Sequence, residues 1–80
     1  MNKSQLIEEI NKLPDDIEFL SAKDDEGNGY RWISGISVDY ILKSEEHDYE
    51  IEYLISEEDV RDDYTPEEVA GQLKKVAVIW

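Results

Sequence analysis

The side chains of this 80-residue chain that could do chemistry are above all carboxylates. Residues 45–68 hold twelve of its twenty-one Asp and Glu residues but only Arg61 of its eight Lys and Arg residues. That segment therefore carries a net charge of −11 within a total of −13. Such a field repels nucleic acid and anionic membrane and attracts basic surfaces, so the expected partner is a basic patch on another protein. Within the segment Asp48, Glu50 and Glu52 occupy alternate positions. On a strand they would stand about 6.6 Å apart on one face, a pitch close to two phosphate steps along a nucleic-acid strand. Glu57, Glu58, Asp59, Asp62 and Asp63 could extend the row along the following loop. Tyr64 lies among these acids outside any periodic run and is a candidate anchor, because tyrosine and tryptophan dominate interface energetics. Three readings of the acidic set stay open: a nucleic-acid mimic, a less specific interaction surface, and a solvated face that keeps a small protein soluble.

Other chemistries find little support. The single histidine, His47, falls in a polar turn, and there is no nucleophile elbow, zinc-ligand spacing or glycine-rich phosphate loop. No enzymatic activity and no cofactor are expected. With so many carboxylates, an acid and base pair can always be found, so such a pair carries no specificity. Asp24, Glu26, Asn28 and Gly29 match the first half of a calcium-binding loop, but its twelfth position falls on Gly35 instead of a bidentate glutamate. The stretch reads better as an acidic hairpin turn, without metal. The chain has no cysteine, so neither a disulfide nor a thiolate site can staple it, and stability must come from apolar packing.

Several elements must position these groups. Leu6, Ile7, Ile10 and Leu13 fall at helical spacing, with Asn2 or Ser4 to cap the start and Pro14 to end it. Ile17, Phe19 and Leu20 read as a short strand, joined through the turn residues 24–29 to a long one over Tyr30–Leu42. Gly35 marks a bulge or bend within that long strand. Tyr49, Ile51, Tyr53 and Ile55 alternate with acids as a further strand. Thr65, Pro66 and Glu68 form a helix-start signature with Val69 and Leu73 facing inward, and Val76, Val78 and Trp80 belong to a last, mostly apolar strand. On this reading Trp32, Tyr40, Tyr49, Tyr53 and Trp80 face the core.

The order αβββαβ predicts an α+β fold: an antiparallel sheet of about four strands, the N-terminal helix packed on one face and a short second helix. At this length only about two-thirds of the unfolded chain's surface can be buried, which allows one core and a single domain over 1–80. No run is long and apolar enough to span a membrane, and Leu6 and Ile7 run at once into Glu8 and Glu9, unlike a secretory signal. A cytoplasmic protein is expected.

The segments LPDDIEF, GNGYRWISG and KKVAVIW resemble small uncharacterised acidic proteins of tailed bacteriophages and prophages, a similarity that spans most of the chain. The resemblance implies an accessory phage product in the bacterial host cytoplasm, a setting in which small acidic proteins inhibit host nucleic-acid-binding or defence proteins. The expected function is then a protein-binding inhibitor or modulator with a DNA-mimic-like acidic face. The alternative is a structural or assembly module, with a homodimer as one form, whose acids serve solubility.

Overall fold

The computed structural model describes residues 1–22 and 30–80. The suggested calcium half-loop and hairpin turn at 24–29 lie outside the described residues. The fold is α+β, with helices α1 (Lys3–Asn11), α2 (Glu57–Asp63) and α3 (Pro66–Gln72), and strands β1 (Glu18–Ser21), β2 (Ile36–Leu42), β3 (Ile55–Ser56) and β4 (Leu73–Ile79). A 3-10 turn, Lys43–Glu45, follows β2. The four strands form a mixed sheet in the order β1-β4-β2-β3.

The expected antiparallel sheet of consecutive strands is thereby corrected. β4 lies between β1 and β2, so these two do not pair as a hairpin. The reason is side-chain chemistry. Val76, Ala77 and Val78 are successive residues that point to opposite faces, and all three are buried. A strand apolar on both faces belongs in the middle of a sheet, whereas β1, with Glu18 and Ser21 exposed, tolerates an edge. Ala22, just past β1, donates to the carbonyl of Ile79 at the end of β4 (2.9 Å), so these two strands finish side by side.

The chain divides into two compact units, Met1–Ser37 with Ala77–Trp80, and Val38–Val76. In the first, Asn2 caps α1, accepting from the Gln5 amide (2.9 Å) while the Gln5 side chain accepts from the Asn2 amide (2.9 Å). This reciprocal pair satisfies two N–H groups that a helix start leaves open. The apolar stripe of α1 is only partly covered: Leu6 and Leu13 are half-buried, Ile7 and Ile10 exposed, and no residue of the helix is fully buried. Near the start of β2, Ser34 donates to the Trp80 carbonyl (2.7 Å) and Trp80 to the Gly35 carbonyl (2.9 Å). Two residues thus meet one, the two-against-one arrangement of a bulge, where the sequence places Gly35. The Trp80 indole donates to Ser37 Oγ (2.8 Å). The strand is shorter than expected, because residues 30–35 are irregular.

In the second unit, α3 follows its sequence signature. Thr65 Oγ1 accepts from the Glu68 amide, the Glu68 carboxylate accepts from the Thr65 amide, and Pro66 opens the helix. Lys43 Nζ donates to the Ala70 carbonyl (2.6 Å), satisfying one of the last carbonyls of α3. β3 pairs antiparallel with β2 through Asp39↔Ser56 and Tyr40↔Ile55 and is only two residues long. The expected strand over 49–55 is otherwise absent. Tyr49 and Tyr53 are exposed instead of core-facing, as are Trp32 and Trp80; only Tyr40 of that set lies in a strand interior, and it is half-buried.

These placements predict opposite outcomes for two substitutions. Leu73 is buried, so Leu73→Ala should cost about 2–5 kcal/mol in denaturant unfolding. Tyr49→Ser should stay within about 0.5 kcal/mol of the parent, against the several kcal/mol that a core tyrosine would show.

Candidate acidic interface

The acidic set lies in the second unit, distributed over two settings. Asp48, Glu50 and Glu52 sit in the irregular stretch between the 3-10 turn and β3, all exposed. No strand supports them, so the row at strand pitch does not form. The pattern fails because β2 ends at Leu42 and the chain turns away through 43–45, so in the register of the β2–β3 pair no β2 residue lies opposite 48–52.

Glu57, Glu58, Asp59, Asp62 and Asp63 belong to α2 and not to a loop, a correction of the sequence reading. The signal was present in the sequence. Ser56 followed by three acids is a helix-start pattern, and Ser56 Oγ accepts from the Asp59 amide (3.1 Å). Val60 is the one buried residue of the helix and turns it inward. Tyr64 ends α2, its amide donating to the Val60 carbonyl (3.1 Å), and its side chain is half-buried. As an anchor it would present only part of its ring.

The acids of α2 differ in what they do for the helix. Glu57, Glu58 and Asp59 occupy the first turn, where the partial positive charge of the helix start favours carboxylates. Asp62 and Asp63 occupy the last turn, where the same dipole disfavours them. Glu58 and Asp62, like Asp59 and Asp63, are four residues apart, and like charges at that spacing repel. Nearby cations compensate only in part. Lys75 approaches Glu57 (3.9 Å), Arg61 approaches Asp62 (4.0 Å), and Lys74 approaches Glu46 (3.5 Å). Glu58, Asp59 and Asp63 make no ion pair with a described cation. No family model, curated protein or solved structure matches the chain.

The candidate interface is a short helix with exposed carboxylates at both ends. The axial rise between residues four apart is about 6 Å, so each acid pair spans close to two steps of a nucleic-acid strand. The helix, rather than a strand, sets the spacing that a basic groove would meet. No helix of the described residues is long and apolar enough to cross a membrane.

Replacing Asp62 and Asp63 by Asn should stabilise the fold by about 0.3–1 kcal/mol per site at low ionic strength, with the gain shrinking as salt is added. Thermal melts at two salt concentrations read this directly; an unchanged or lowered melting temperature at low salt contradicts the charge assignment.

Proposed function

We propose that this chain is a non-enzymatic protein-binding module that offers the carboxylates of α2 and of 48–52 to a basic site on a nucleic-acid-binding protein. The observation that carries the reading is the placement of Asp62 and Asp63. Carboxylates at a helix C-terminus oppose the dipole and repel Glu58 and Asp59, so the folded chain holds them at a cost that a cationic partner would relieve. Solubility alone is served equally well by acids placed elsewhere. The resemblance to phage and prophage proteins supports an inhibitor or modulator of a host nucleic-acid-binding or defence protein, acting in the host cytoplasm, with α2 as the mimic of a phosphate row.

The test is competition. The chain, immobilised and exposed to bacterial lysate at low salt, should retain proteins that are released by duplex DNA and by raised salt. A variant with Glu58→Gln, Asp59→Asn, Asp62→Asn and Asp63→Asn should retain at least tenfold less of them. Retention that is insensitive to the variant and to salt overturns the reading.

A second reading, a self-associating assembly module, draws on the first unit. Tyr30 is fully exposed and Trp32 is 90 % exposed. Aromatic surface of this kind is favoured in contacts between subunits. Sedimentation velocity separates the two readings. A dimer dispersed by Trp32→Ser supports assembly, and a monomer at high concentration excludes it.

A further inference from the structure

We propose that residues 48–54 form a conditional strand, completed when an extended, cationic segment of a partner adds to the β3 edge of the sheet. The proposal rests on the protein-binding reading above and specifies its mode.

Three observations converge on this stretch. First, β3 is an outer strand of the sheet, yet it pairs through only two residues, Ile55 and Ser56. Its far side has no strand neighbour among the described residues. Secondly, the sequence running into it, Asp48-Tyr49-Glu50-Ile51-Glu52-Tyr53-Leu54, alternates as far as Tyr53, with Leu54 the one apolar intrusion, and has the aromatic and β-branched content of a strand, but it adopts none. Twelve residues separate β2 from β3, and only three of them form a turn of helix, a long connection for a small domain. Thirdly, Tyr49 is 99 % and Tyr53 73 % exposed. In a strand the two would lie on the same face, two residues apart on either side of Ile51, and form an apolar strip beside the edge.

Charge decides what completes it. Strand addition by a second copy of the stretch would set Asp48, Glu50 and Glu52 against the same residues of the other copy, and like charges across a ladder destabilise it. The same acids blunt the edge against self-pairing. A segment alternating Lys or Arg with apolar residues meets both faces at once: its cations face the acids and its apolar residues cover Tyr49 and Tyr53. Main-chain hydrogen bonds would supply affinity and the alternate side chains selectivity, the division of labour in strand addition.

The experiment uses the full chain and two synthetic peptides of equal charge, Lys-Val-Lys-Val-Lys-Val-Lys and the same sequence with alternate backbone amides N-methylated. Fluorescence anisotropy should show the unmodified peptide binding at least tenfold more tightly. Amide hydrogen exchange should slow at least tenfold within 48–54 when it binds. The Tyr53→Pro variant, which removes one amide donor from an exposed position, should lose the protection while keeping the melting temperature of the parent. If that variant unfolds, Tyr53→Gly, which keeps the donor but weakens strand formation, should reduce protection in its place. Equal binding of the two peptides, protection elsewhere in the chain, or no binding overturns the conditional strand. Salt-sensitive binding that ignores N-methylation overturns this inference alone, because it leaves the electrostatic reading intact; binding that N-methylation weakens but salt does not overturns the electrostatic reading and, with it, the cationic partner specified here.

Discussion

The constraint on which this structure depends is the burial of β4 on both of its faces. Val76, Ala77 and Val78 are half of the six buried residues among those described, and no other strand contributes more than one. A strand of that composition cannot be an edge without exposing apolar surface on one side. The sheet order therefore follows from it: β1 is displaced from β2, the sheet becomes mixed, and β3 is left at the margin. The rest of the molecule is covered thinly. Ile41, Val60 and Leu73 complete the buried set, and they come from β2, α2 and the start of β4.

Where local chemistry decided the outcome, the sequence was readable. The Thr65-Pro66-Glu68 signature, the Asn2 cap, the apolar last strand and the break at Gly35 are each set by residues within a few positions of one another. Where the outcome depended on a distant neighbour, it was not. The alternation of Tyr49, Ile51 and Tyr53 is a sound strand pattern, but a strand exists only where another lies beside it. The same pattern made Trp32, Tyr49 and Tyr53 look like core residues, because alternation identifies a face without saying what covers it. The acids of 57–63 were legible as charge and missed as a helix. Their apolar content is a single valine, too little for periodicity to register, and only the Ser56 cap carried the signal.

Charge is also unevenly divided between the two units. Val38–Val76 holds thirteen of the twenty-one acids, while exposed aromatic rings stand in both, Tyr49 and Tyr53 in this unit and Tyr30 and Trp32 in the other. Within the acidic unit the cations have structural uses: Lys43 on an α3 carbonyl, Lys74 beside Glu46 and Lys75 beside Glu57. They hold elements in place and neutralise little of the field that α2 projects. A small domain can in this way stay folded while keeping a strongly negative surface.

The position of β4 has a consequence in the order of synthesis. β4 is an interior strand of the sheet, and both of its neighbours, β1 and β2, precede it in the chain and so leave the ribosome before it. Until residues 73–79 emerge, β1 and β2 have no common partner, and their apolar side chains wait uncovered. All twenty-one acids of the given sequence precede residue 73 and are translated by then, and the mutual repulsion of so many like charges opposes contact between unfinished copies.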